Sequence, residues 1–385
     1  MLNLIDKYSD PKLLDRSKTA RDISGSFKDK FPTRRSEEWR YSDISKFSPI
    51  VINIDKDQDV DKKHISFKNG NFRDFGLECK KGGQVSSEDL ESIHSKIHSN
   101  TNNPFNSYNI TSSENLYIFD IYKKSETLEF FMDMEMDSLV VFKIKKGSDL
   151  TILLHNNLSR EFLNLSLLID IEDGGKCNLI FDGASDKGSI RLINSVVELG
   201  NRSEFNGFLL NSVSKYSRND VTIRFNDEDS SYSLYGLSFC EDGMESHNLV
   251  RIEHKSKNCT GKQLFKNILL GRSKTSFDGL VHVFKGSSGT ESDQMNGNLI
   301  LSDDAKAYAR PQLKIYNDDV VCNHGSNNGE LDIEKIHYLK SRGFNENLAR
   351  SILINGFAGE VLDKIPINSV KEKYTNYIEN KISNW

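Results

Sequence analysis

One stretch constrains this chain more than any other. From about residue 116 to residue 325 it carries strand periodicity and no convincing helix. Leu163, Leu165, Leu167, Ile169 and Ile171 alternate with mostly polar residues, and so do Val221, Ile223 and Phe225, then Tyr235, Leu237 and Phe239. Apolar residues two apart lie on one face of a strand. Turn-like tips fall at Gly147, Gly174-Gly175, Gly200-Asn201 and Asp227-Glu228-Asp229, in steps of 27, 26 and 27 residues. A near-constant step points to the stacked coils of a β-solenoid, in which each coil covers its neighbour's face. A jelly roll or sandwich gives the same alternation, usually with less regular spacing.

Helical patterns flank this region. At the start, Asp10 caps and Pro11 opens a helix bearing Leu13, Ala20, Ile23 and Phe27 on one face, ended by Phe31-Pro32. A second helix is predicted near Ser87–His98, and the Asn- and Pro-bearing residues 99–115 read as a linker. After Gly329, Asp332 caps a helix carrying Ile333, Ile336 and Leu339, which Gly343 ends. Asn345 caps the next, with Ala349, Leu353, Phe357 and Val361 at intervals of four. Pro366 stands near the start of a last, polar helix. The expected division is a helical or mixed region over 1–110, a β core over 111–328 and a helical end over 329–385.

Charge and cysteine usage exclude several functions. The 51 basic and 56 acidic residues are interspersed, so no basic field exists to attract nucleic acid. No apolar run approaches the length of a membrane span, and the opening residues lack the apolar core of a signal peptide. A soluble intracellular protein is the expectation. The five cysteines, Cys79, Cys177, Cys240, Cys259 and Cys322, are scattered and form no CxxC. Neither a disulfide framework nor a complete four-thiolate metal site fits that arrangement.

Most catalytic motifs are missing. Gly183-Ala184-Ser185-Asp186-Lys187-Gly188-Ser189 has the outer glycine spacing of a P-loop without its Gly-Lys-Ser/Thr ending, so it reads as a turn tip and no nucleotide is expected on this chain. His247 and His254 are seven apart, which on a strand puts them on opposite faces and makes a shared metal a poor reading. Cys322 and His324 are two apart and project to one face, a thiol and an imidazole suited to iron or zinc. They supply half a site. On spacing alone, a small buried cysteine beside a turn histidine is the commoner outcome. A carbohydrate-active β-helix enzyme would need a row of carboxylates on one exposed face, and none is visible.

Several ordered motifs together resemble the SufB/SufD family. They run from Gly261-Lys262-Gln263-Leu264-Phe265-Lys266 through Phe277-Asp278-Gly279, Asn298-Leu299-Ile300-Leu301-Ser302-Asp303-Asp304-Ala305 and Pro311-Gln312-Leu313-Lys314-Ile315-Tyr316 to Asp318-Asp319-Val320-Val321-Cys322-Asn323-His324-Gly325. The match continues to Ala349. A second anchor lies at Pro32-Thr33-Arg34 with Glu38-Trp39-Arg40-Tyr41-Ser42-Asp43. The SufB branch is usually longer and carries Cys-Glu-His-Glu where this chain has Cys322-Asn323-His324-Gly325, so the resemblance is to the SufD branch. Asn323 and Ser326-Asn327-Asn328 depart from the commonest family choices without removing a ligand.

The resemblance implies a right-handed parallel β-helix between helical ends, acting as a non-catalytic scaffold in iron–sulfur cluster assembly. It implies pairing with SufB, docking of the ATPase SufC on the helices of about residues 330–365, and a transient cluster shared with SufB. His324 would then be a cluster ligand and Cys322 a second ligand or sulfur acceptor. Arg342, Gly343, Ala349, Leu353 and Phe357 would meet the ATPase. The setting would be cytoplasmic, or an organellar matrix or stroma after removal of a transit peptide. A homodimer of the isolated chain and a reduced flavin in the complex stay open. The alternative is a β-solenoid binding or structural protein with no metal role.

Overall fold

The computed structural model describes residues 2–3, 18–19, 36–42, 51–52, 65–67, 77–81, 85–98, 103–112, 116–122, 124–132, 137–155, 162–183, 189–212 and 214–383. Of the expected first helix, capped by Asp10 and ended by Phe31-Pro32, only Lys18 and Thr19 are among them. Pro32-Thr33-Arg34, Asp43 and the turn tip Ala184–Gly188 lie outside the described residues.

The protein is mainly β, a parallel β-solenoid with helices at its termini. Four short strands come first: β1 (Leu2–Asn3), β2 (Val51–Ile52), β3 (Ile65–Phe67) and β4 (Leu77–Lys81). Two helices follow, α1 (Ser87–His98) and α2 (Pro104–Ser112). The solenoid begins with β5 (Leu116–Ile121), β6 (Lys124–Met132), β7 (Asp137–Ile144), β8 (Asp149–His155), β9 (Phe162–Ile171) and β10 (Lys176–Gly183). It continues with β11 (Ile190–Leu199), β12 (Glu204–Asn211), β13 (Tyr216–Phe225), β14 (Ser231–Cys240), β15 (Glu245–His254) and β16 (Thr260–Leu269). It ends with β17 (Lys274–Val283), β18 (Thr290–Ile300), β19 (Lys306–Ile315) and β20 (Val320–Gly329), and then α3 (Ile333–Ser341), α4 (Glu346–Leu362) and α5 (Asn368–Ser383).

Odd strands from β5 to β19 stack in one sheet and even strands from β6 to β20 in the other, all parallel. At the early end, β4 and β3 each add an antiparallel strand to one sheet. Apolar residues of both sheets meet between them and form the main core.

The turn from each odd strand to the next even one explains the repeat. Gly147, Gly174, Arg202, Asp229, Asn258 and Gly289 all have positive φ there. Each donates its N–H to a carbonyl of the next coil's turn: Asp173 (3.1 Å), Asn201 (2.8 Å), Glu228 (3.0 Å), Lys257 (3.2 Å), Ser288 (2.9 Å) and Asp319 (2.9 Å). These six turns each hold one left-handed residue, and Gly, Asn or Asp fills five of the six positions. In the tip around Gly200 the left-handed residue is Arg202. Gly200 serves close approach instead, since a Cβ there would lie 3.0 Å from the Ile171 carbonyl oxygen.

The linker expected over 99–115 contains helix α2. Its asparagines, read as turn formers, are tertiary cross-links. Asn103 accepts from the Phe105 N–H (3.1 Å) and donates to Asp220 (2.9 Å). Asn106 accepts from Ser166 (2.8 Å), and Asn109 donates to Ser166 (2.9 Å). Buried partners hold these amides in place, and propensity yields to them.

The outer faces of the two sheets are covered differently. On the even sheet, Ile180, Phe208, Leu237, Phe239 and Ile268 pack against Ile354, Ala358, Val361, Tyr374 and Ile378 of α4 and α5. On the odd sheet, α1 and α2 cover the early coils with Leu90, Ile93, Ile97 and Ile110. Over the later coils the cover is the segment Ser36–Ser42, held by charge.

Candidate functional site

The last coil has no coil above it. Among the described residues, its strands β19 and β20 each pair on one side only, leaving two sheet edges open at the same end. Val321, Tyr316, Met295 and Ile315 are exposed there. Open edges of this kind template pairing with another chain.

Strand β20 carries Cys322 and His324 on its inner side. Its register with β18 sets Cys322 beside Ser292 and His324 beside Gln294, and both β18 residues are buried. Following one inward column through the even sheet gives Leu128, Ile152, Leu179, Gly207, Leu234, Gln263, Gln294 and His324. The interior therefore changes from apolar to amide over the last coils. Gln263 donates to Gln294 (2.8 Å), and in a neighbouring column Asn267 donates to Asn298 (2.7 Å) and Asn298 to Asn328 (2.6 Å).

His324 reaches across the mouth of the solenoid, where its Nδ1 lies 3.2 Å from the Pro311 carbonyl oxygen on β19. A carbonyl only accepts, so Nδ1 carries the hydrogen in this contact. In the neutral ring Nε2 then keeps its lone pair, the arrangement a metal ligand needs. The side chain is exposed. Cys322 is half-buried and packs partly on the core. Burial pushes its thiol above the ordinary range, against a hydrogen bond from the Ser292 backbone. Such a thiol is a poor free nucleophile and awaits a metal or base to take its proton. Among the described residues, no three His, Cys, Asp or Glu side chains gather to hold a metal ion.

His247 and His254, both on β15, face opposite sides as their spacing predicts. His247 bonds Ser276 (2.7 Å) and Glu245 (3.1 Å) under the N-terminal cover. His254 is buried inside, stacked on Phe225 at 4.4 Å with neither ring nitrogen hydrogen-bonded.

The helices after β20 present two apolar faces. Asp332 caps α3, accepting from Glu334 and Lys335, and Asn345 caps α4 through the Leu348 N–H (2.8 Å). Arg342 follows α3 with its guanidinium 5.2 Å from the Tyr338 ring, and Gly343 has φ +92°. Ala349 is fully buried, Leu353 is half-buried, and Phe357 packs against the solenoid with the Lys266 ammonium 4.2 Å over its ring. Ile333, Tyr338, Phe344, Leu348 and Ile352 are exposed apolar residues of this region. For the last three, the signal in the sequence is the second stripe 344, 348, 352, offset from the one at 349, 353, 357.

The segment Ser36–Ser42 was a motif without a mechanism at the level of sequence. Trp39 is buried with the Arg218 guanidinium 3.7 Å from its ring. Arg218 also donates to the Glu38 carbonyl (3.0 Å) and to Ser42. Glu38 meets Arg251 on β15, and Glu37 meets Arg310 on β19 (2.9 Å). Tyr41 stacks on Tyr308 at 4.8 Å. The segment thus crosses the odd sheet from β13 to its open edge.

Fold and site together define a parallel β-solenoid with helical covers on both outer faces and an open, histidine-bearing end. The sequence carries a match to the family described as SUF system FeS cluster assembly, SufBD core domain, over residues 133–357, more than half of the chain. The protein belongs to this family of iron–sulfur cluster assembly proteins. It is 31% identical over 156 residues to the iron–sulfur cluster assembly protein SufD of Escherichia coli, covering 40% of this chain and 37% of that protein. It is 31% identical over 174 residues to an iron–sulfur cluster assembly SufBD family protein of Mycobacterium leprae, covering 43% and 44%. It is 27% identical over 180 residues to the chloroplastic protein ABCI7 of Arabidopsis thaliana, covering 46% and 38%. These matches span less than half the length of each relative. No helix among the described residues is long and apolar enough to cross a membrane.

Proposed function

We propose that this chain is a non-catalytic scaffold subunit of a SUF-type assembly complex, pairing with a SufB subunit and contributing His324 to a transient cluster between them. The observation that supports the reading is the His324–Pro311 contact at an open sheet end, which leaves the Nε2 lone pair free in the neutral ring. One imidazole and one half-buried thiol make an incomplete coordination sphere, so the remaining ligands come from the second subunit. Ligation shared across an interface is labile, because separating the subunits breaks it. Cys322 is the second donor, once the cluster's iron displaces its proton. Iron and sulfide are cargo at this site.

The SufC ATPase docks on the C-terminal helices in this reading, meeting Arg342, Gly343 and the exposed residues beside them, while the buried Ala349 and the half-buried Leu353 and Phe357 support that surface from within. Tyr338, Phe344, Leu348 and Ile352 supply the apolar contact. Nucleotide binding to SufC would act on the cluster site only through two arrangements of the scaffold pair that bind SufC differently. The setting is the cytoplasm or the corresponding organellar compartment.

Co-expression with SufB and SufC, followed by anaerobic iron and sulfide analysis, tests the proposal. The wild-type complex gains clusters, and the His324→Ala complex co-purifies intact without them. Normal cluster content in His324→Ala overturns the ligand assignment. Failure of the folded chain to bind either partner overturns the scaffold reading and leaves a passive solenoid.

A further inference from the structure

Directly beneath His324 lies Gln294, one coil earlier in the same inward column. It is fully buried. Its Oε1 accepts from Gln263 (2.8 Å), and its Nε2 reaches the carbonyl oxygen of Gly279 on the facing strand β17 (3.4 Å). Gly279 in turn lies directly beneath Pro311 in the odd sheet. The two coils therefore repeat one construction. A side chain from the even sheet crosses the interior and meets a backbone carbonyl of the odd sheet, Gln294 to Gly279 and then His324 to Pro311.

Gly279 makes the lower crossing feasible. A Cβ at that position would overlap the Gln294 side-chain amide. The amide lies one coil below His324 and ties β18 to β17, the strands directly beneath β20 and β19. A buried amide with both ends bonded has one low-energy orientation.

We infer that Gln294 is a positioning residue: it forms the floor on which His324 rests, and it holds the imidazole with Nδ1–H on the Pro311 carbonyl and Nε2 free at the solenoid mouth. The consequence for cluster binding rests on the reading of His324 as a ligand, whereas the consequence for the ring's tautomer does not. Without the floor the ring has a second resting place, down into the interior and away from Pro311. An unrestrained imidazole prefers its hydrogen on Nε2, the form that cannot ligate through that atom.

The tautomer can be read directly in the full-length chain by nitrogen NMR of ¹⁵N-histidine-labelled protein, with the His324 signals assigned from their loss in His324→Ala. Wild type is expected to hold the Nδ1–H form. Gln294→Leu is expected to shift His324 towards the Nε2–H form and to lower cluster content in the complex with SufB and SufC about tenfold. Gln294→Asn keeps an amide too short to span the interior. It should shift the tautomer in the same direction, and it serves if Gln294→Leu does not fold. An unchanged tautomer in either folded variant overturns the inference, whatever the cluster content. A shifted tautomer with undiminished cluster content supports the positioning role and counts instead against His324 as a ligand.

Discussion

The early and late coils share one backbone and differ in what they enclose. In the inward column of the even sheet, the early coils place Leu128, Ile152, Leu179 and Leu234, and the late coils place Gln263, Gln294 and His324. The first set removes apolar surface from water without directional demands. The second places hydrogen-bonding groups in a confined space and links each rung to the next or to a carbonyl, with the Gln263 Oε1 left without a partner among the described residues. Apolar packing supplies stability, and the amide rungs supply orientation at the end that carries His324.

Mutations should separate these roles, beginning with the early coils. Ile152 is fully buried, and Ile152→Ala should cost about 2–5 kcal/mol, read as a fall in the urea midpoint at constant slope. In the late coils, Asn298→Ala leaves Asn267 and Asn328 without a partner and should cost about 1–3 kcal/mol. A smaller loss than a surface substitution gives would mean that water replaces the rung.

His254 carries a titratable group into the apolar part. Burial pushes its imidazole down to about 3, well under the unfolded value near 6.5. Below that unfolded value the unfolded chain takes up a proton that the native chain refuses. Stability from this residue is therefore complete above about pH 6.5 and falls as the pH drops towards 3, by about 1.4 kcal/mol per pH unit. His254→Phe keeps the stack on Phe225 and should flatten that part of the profile. An equally steep profile in the variant would assign the loss to other groups. The smallest expected effect on stability is that of His324→Ala. It removes an exposed ring and should lower the stability read from the urea midpoint by no more than about 0.5 kcal/mol, while cluster content is expected to fall.

The site was partly legible before any coordinates. Cys322 and His324 share a face because strand side chains alternate, and the helix caps at Asp332 and Asn345 announce themselves by residue type. The stripe at 349, 353, 357 and 361 was a poorer guide. Steps of four overrun the 3.6-residue turn, so the stripe drifts around the helix. The buried face runs through Ala349, Ile354, Ala358 and Val361, with Leu353 and Phe357 at its margin. Helix α2 was missed because its asparagines are bonded to residues about 60 and 117 positions away, beyond any local window.

By itself the sequence determined the coil, because six successive odd-to-even turns use a residue at positive φ and each strand needs alternation. Both demands are local and leave a periodic trace. Tertiary structure alone decided what lies over and under the site. The stacking of residues about 30 apart puts Gln294 beneath His324, and the long reach of Glu37 to Arg310 ties the N-terminal segment to the open edge. Such pairings depend on register and on docking between distant segments, and neither is encoded in a window shorter than the coil itself.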